Sequence, residues 1–190
     1  MDRREALQRI ALLTGGALSL STVSAVMGGC TAESGNGYTP QTLSDTQDEL
    51  VSAISERIIP ATDTPGAEAA QVNRFIDKML TDWHTEEERN HFLDGLSSVD
   101  ETSNELHGGN FLDLGEQQQI DVLSQLETEA QQNPMLQADL SPFFSMMKEL
   151  TLIGYYTSEI GATEELRWNH VAGRYDGCMD YSEVGRAWSS

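Results

Sequence analysis

The sequence predicts an all-α fold, a small helical bundle of about five helices with an irregular C-terminal arm. Three observations predict it: five stretches repeat apolar residues at three- and four-residue spacing, none alternates convincingly with period two, and no segment recurs at a fixed length. The 190 residues suffice for one domain with a sizeable core, expected over residues 44–190, with residues 162–190 as the arm.

The first 29 residues read as an address rather than as part of that bundle. Arg3 and Arg4 stand at the front, an apolar run rich in small residues follows Arg9, and Gly28, Gly29 and Cys30 close it. The Arg3-Arg4 pair with Ala6 and Leu7 resembles a twin-arginine export signal, which carries folded proteins across the bacterial inner membrane. Met27 to Cys30 resembles a lipobox, with Met27 where Leu is usual and Gly28 where Ala or Ser is usual; it makes Cys30 the expected lipidation site. Residues 30–43, rich in Gly, Ser, Thr and Asn, are then a flexible tether. The expected location is the periplasm, with a lipid anchor to a membrane.

Ser44 can cap a first helix, in which Leu50, Val51, Ile54, Ile58 and Ile59 share a face and which Pro60 ends. A turn-rich stretch with Pro65 and Gly66 leads to a second helix with Val72, Phe75, Ile76, Met79, Leu80 and Trp83 at helical spacing. Thr85 with Glu88 three residues on forms a capping box for a third helix bearing Phe92, Leu93, Leu96 and Val99, and the polar run Asp100 to Asn110 is expected to break it. A fourth, from about Gly115 to Gln132, uses Ile120, Val122, Leu123 and Leu126. Ser141 is the expected cap of the fifth, with Pro142 at its first position.

The fifth helix carries apolar residues nearly all round, from Phe143 to Ile160, which predicts a central helix or one covered by a partner. After Gly161 the helical period stops, and Arg167, Trp168, His170, Arg174 and Tyr175 follow, with Trp188 near the end. Arg, Trp and Tyr dominate protein interfaces, so Tyr155, Tyr156, Arg167, Trp168, Arg174, Tyr175 and Trp188 are the expected partner contacts. Stacking of Trp168 or the Tyr155-Tyr156 pair on a sugar or flavin ring is the sharper alternative, but apolar spacing alone explains the tyrosines.

Charge narrows the partners. Of 11 basic and 31 acidic residues, the leader holds Arg3, Arg4, Arg9, Asp2 and Glu5, which leaves eight against 29 and a charge near −21. Such a surface repels nucleic acid and anionic lipid, so membrane attachment falls to the lipid, and solubility alone accounts for the charge. Of two cysteines, acylation of Cys30 leaves Cys178 alone, either buried and inert or bonded to another chain; the habit of unpaired Cys favours burial.

No catalytic constellation stands out. Glu88 and His91 have the Glu-x-x-His spacing of bundle di-iron sites, with His84 nearby, but the motif occurs once where such a site uses it twice. Ser141 and Ser145 lack a nucleophile elbow, His107 and His170 lack ligand neighbours, and no dinucleotide, phosphate-loop or haem-attachment motif is present. No catalytic, cofactor-binding or metal-ligating residue is therefore assigned, and a role in assisting another protein is expected.

Several blocks carry a likeness: RREAL at the front, IIPATDTPGA (Ile58 to Ala67), FIDKMLTDW, EEERNHFLDGL, FFSMMKELTLIGYYTSEIGA and the closing GRYDGC with Arg186-Ala187-Trp188. Together they resemble the gluconate 2-dehydrogenase subunit 3 family over nearly the whole chain after the leader. Ile58 to Ala67 and Leu150 to Ala162 are the most specific, since helix patterning requires neither. The resemblance implies a non-catalytic small subunit of a membrane-bound sugar or sugar-acid dehydrogenase. A flavoprotein of the glucose-methanol-choline type would hold the FAD, this chain would hold no cofactor, and a c-type cytochrome subunit would take the electrons onward. It also implies that the small subunit carries the folded flavoprotein out on its twin-arginine signal. The lipobox-like end at Cys30 departs from that scheme, because a lipid replaces the anchor that a cytochrome would provide. Two other readings are an autonomous bundle enzyme with a metal at His84, Glu88 and His91, and a lipid-tethered envelope protein with no redox partner.

Overall fold

The computed structural model describes residues 38–132, 141–170, 173 and 177–189, nearly all within the unit Thr39–Ser190. Arg3, Arg4, Cys30, Arg174 and Tyr175 lie outside the described residues. Five long helices, α1 (Asp45–Ile58), α2 (Val72–Asp82), α3 (Glu86–His107), α4 (Glu116–Gln132) and α5 (Phe143–Thr157), make the fold mostly helical, as predicted. A π-helical turn (Gly161–Glu165), a short helix α6 (Tyr181–Val184) and a two-strand pair, β1 (Arg167–Trp168) with β2 (Trp188–Ser189), make up the described arm.

Local chemistry starts α1 and α3 where the sequence says it should. Ser44 accepts from the Gln47 N–H at 3.3 Å while the Gln47 side chain accepts from the Ser44 N–H at 2.9 Å, a capping box for α1. Thr85 and Glu88 do the same for α3. The polar run after Val99 does not break α3, contrary to expectation: Ser103 continues the buried face of Phe92, Leu96 and Val99, its hydroxyl donating to the Val99 carbonyl at 2.7 Å. Polar residues on the outer face cost a helix little, and it ends at Gly108, whose φ of 74° suits a residue without Cβ. Pro142, not Ser141, occupies the cap position of α5, because its backbone is extended (ψ 142°) and the helix begins one residue later.

α5 is the central element and touches each of α1 to α4. Phe143, Phe144, Met146, Met147, Leu150, Thr151, Gly154 and Tyr155 are buried. Gly95 of α3 makes room for the Phe143 ring, which meets Phe92 edge-on at 5.2 Å. Gly154 does likewise for α2: a Cβ there would sit 2.7 Å from the Phe75 ring. Covering is incomplete, since Leu152, Ile153 and Tyr156 stay 40–44 % exposed along one stripe. Ile120 of α4, expected inside, is also exposed; its neighbour Gln119 takes the buried place and bridges the Phe111 carbonyl (3.0 Å) and the Arg57 guanidinium (2.9 Å).

Two carboxylates, one fully buried and one half-buried, order segments that have no helix of their own. Asp77 of α2 is fully buried and accepts the N–H groups of Gln41, Thr42 and Leu43, each at 2.9 Å. Thr42 and Thr81 share a further bond at 2.7 Å, so the chain is pinned to α2 just before α1 begins. Glu56 of α1 accepts from Ala61 N–H at 2.8 Å and Glu68 N–H at 2.9 Å, folding the intervening loop over its own carboxylate.

Candidate docking surface

The two most specific blocks of the sequence meet in space. Ile58 to Ala67 forms the loop around Glu56, closed by Ala67 N–H to the Ile59 carbonyl at 3.0 Å, and Gly66 lies so close to the Glu56 carboxylate that no Cβ fits. Tyr155 from the other block donates its hydroxyl to the Pro65 carbonyl at 2.7 Å, and burial pushes that phenol above its ordinary range. Thr64 donates to Glu165 of the π-helical turn at 2.6 Å. Gly161 in that turn packs against the Tyr155 carbonyl, where a Cβ would collide with backbone.

These contacts give the arm a fixed root. Beyond it, β1 and β2 pair in parallel, with Arg167 N–H donating to the Ala187 carbonyl at 2.8 Å and Asn169 N–H to the Ser189 carbonyl at 2.9 Å. The Arg167 guanidinium lies 4.7 Å from the Trp188 ring centre and donates to the Val184 carbonyl at 3.0 Å. Arg186 donates to the Glu164 carbonyl, tying the end of the chain back to the π-helical turn. Trp168 stacks on His170 at 6.2 Å.

The expected partner contacts therefore separate. Arg167, Trp168 and Trp188 come together on the arm, both indoles 47 % exposed, and Met179 and Tyr181 are exposed on it too. Tyr156 belongs to the bare stripe of α5. Tyr155 is removed from the surface: it is 1 % exposed, because its hydroxyl reaches Pro65 across the core. Cys178 is exposed, not buried as the habit of its residue type suggests, since the arm has no thickness to enclose it. Glu56 and Asp77 went unseen in the sequence; a carboxylate on an amphipathic helix looks like any solvated one until the loop it binds is known.

The His84, Glu88 and His91 set does not converge. Glu88 spends its carboxylate on the capping box, with His84 Nδ1 at 3.4 Å, while His91 Nε2 turns to the Ser141 carbonyl at 3.0 Å. Among the described residues no group of three His, Cys, Asp or Glu side chains could hold a metal ion. No described helix is long and apolar enough to cross a membrane.

Fold and surface define a small helical bundle around one apolar helix, bare along one stripe, that presents indoles, a phenol and guanidinium groups on an arm rooted between its two most specific blocks. Residues 45–173 match the family model described as gluconate 2-dehydrogenase subunit 3. The chain belongs to that family, whose name makes it a subunit of an oxidoreductase complex. The match spans both blocks and the root of the arm, and stops short of Arg186 and Trp188. No curated protein and no solved structure matches the chain.

Proposed function

We propose that this chain is the non-catalytic accessory subunit of a periplasmic flavin-dependent dehydrogenase, which it binds through its C-terminal arm and accompanies across the inner membrane on its own twin-arginine leader. The observation that carries the reading is the exposed Trp168 and Trp188 pair, held about Arg167 on a root built from the family's two specific blocks. Two indoles half in water are an unfavourable use of the largest apolar side chains unless something covers them, and Trp and Arg are the residues in which interfaces concentrate energy. The FAD belongs to the partner, and this chain carries none. Lipid at Cys30 provides the membrane attachment, which makes a c-type cytochrome dispensable as an anchor.

The test is co-expression with a flavin-dependent dehydrogenase subunit of the glucose-methanol-choline type from the same cells. The wild-type chain should co-purify with it, and Trp168→Ala with Trp188→Ala should keep helical circular dichroism and cooperative melting while losing the partner. Truncating an interface anchor costs about 2 kcal/mol or more of binding, so two together should abolish recovery. A wild-type chain that recovers no flavoprotein would refute the reading.

A further inference from the structure

The arm contains a cleft of about 500 Å³ lined by Thr163, Leu166, Arg167, Trp168, Gly185 and Arg186, together with Val184. Its lining holds two guanidinium groups and no carboxylate, in a chain with 31 acidic residues against 11 basic ones. The three other principal clefts among the described residues each include a glutamate. Three of the other described cations are neutralised: Arg57 pairs with Glu116, Lys78 with Asp82 and Lys148 with Glu127. Arg167 and Arg186 bond to the backbone carbonyls of Glu183, Val184 and Glu164 instead, and among the described residues no carboxylate pairs with either. A guanidinium has five N–H donors, so these bonds leave donors and the full charge for a ligand. Glu164, Glu165 and Glu183 adjoin lining residues in sequence; Glu165 is engaged by Thr64, while Glu164 and Glu183 meet Arg186 and Arg167 through their backbone carbonyls.

We infer that this cleft takes the Asp and Glu side chains of an acidic patch on the flavoprotein partner, with Arg167 and Arg186 as the anchors. The inference rests on the proposal that the arm is the docking face, and it adds the chemistry of what docks. Three physical points support it. The Trp188 ring under Arg167 holds that guanidinium in place before binding, which lowers the ordering cost of a carboxylate fork. A small anion would leave Trp168 and Trp188 as bare as before, whereas a protein surface covers them along with the cleft. Finally, a chain of charge −20 repels an acidic partner overall, so a cationic cleft favours the orientation of the complex that brings the partner's acids to it.

Salt is a poor probe here, because screening weakens the cleft's attraction and the general repulsion together. Charge variants at constant ionic strength separate them. In the full chain co-expressed with the flavoprotein, Arg167→Gln with Arg186→Gln should weaken the complex roughly tenfold or more, as loss of charge-assisted bonds does. Arg167→Glu with Arg186→Glu should abolish it, and the Lys pair, which keeps the charge and loses the stacked fork, should fall between wild type and the Gln pair, all with unchanged helical signal and melting. Equal recovery of wild type, Gln pair and Glu pair would overturn the inference while leaving the accessory-subunit reading intact.

A second measurement is independent of that reading. Of the three tryptophans, Trp83→Phe leaves only the two on the arm, so fluorescence then reports on the cleft alone. Hexaglutamate should give a saturable change that the Gln pair lacks; no change, or the same change in the Gln pair, would sink the proposal. Inorganic phosphate at matched ionic strength should neither saturate that signal nor displace the flavoprotein. If it does both, the cleft is a small-anion site and the protein-docking inference fails.

Discussion

The Tyr155 hydroxyl donates to the Pro65 carbonyl at 2.7 Å, joining positions 90 residues apart in sequence and holding the loop after α1 to the end of α5. Tyr155→Phe keeps the ring and its packing and removes only that bond, leaving a partly buried carbonyl unpaired. The cost should be about 1 kcal/mol, up to about 2. Urea unfolding should show a lower midpoint with unchanged slope, and the phenylalanine variant should retain its partner, because Tyr155 is inside the bundle.

Asp77 accepts three consecutive backbone N–H groups in a fully buried position, so Asp77→Ala strands three donors at once. A loss of about 3 kcal/mol or more is expected, since bonds to a charged acceptor are among the strongest and buried unpaired donors keep their desolvation cost. Hydrogen exchange should speed first at Gln41, Thr42 and Leu43, ahead of the helices.

Glu88 gives the stability a pH dependence of predictable sign. The Thr85 backbone N–H and then its hydroxyl bond the ionised carboxylate, holding it below the ordinary glutamate value of 4.5, with His84 adding a smaller pull. A depressed carboxylate contributes stability that is fully present above the unfolded value and is lost as pH falls through the folded one. Glu88→Gln cannot ionise, so the gap between unfolding midpoints measured near pH 7 and near pH 3 should narrow relative to wild type. Thr85→Ala removes the cap as well and should cost about 1 kcal/mol near neutrality.

Export should depend on the arginine pair. Changing Arg3 and Arg4 together to Lys keeps the charge and loses the planar fork, and the precursor is expected to stay in the cytoplasm. Fractionation and immunoblotting read the result, and normal periplasmic accumulation would contradict it. In the same assay Cys30→Ala should leave the membrane fraction or remain unprocessed.

What the sequence determined by itself is the part of the architecture written in short-range chemistry. The Ser44 and Thr85 caps, the stop before Pro60 and the spacing of Val72, Ile76 and Leu80 or Phe92, Leu96 and Val99 act within a few residues, so they were legible before any packing was known. The same holds for the two blocks that carry the family likeness and for the arm's concentration of Trp and Arg. Tertiary structure alone decided which side of α5 would be covered, since a helix apolar all round gives no preference until four neighbours choose faces and leave Leu152, Ile153 and Tyr156 bare. It also sent Tyr155 inward and left Tyr156 outside, turned Glu56 and Asp77 from ordinary helix acids into anchors for loops, and set Arg167 and Arg186 about one cleft. The reason is physical: a hydrogen bond or a cleft that gathers two guanidinium groups depends on distance in space between groups remote in sequence, and periodicity carries no record of those distances.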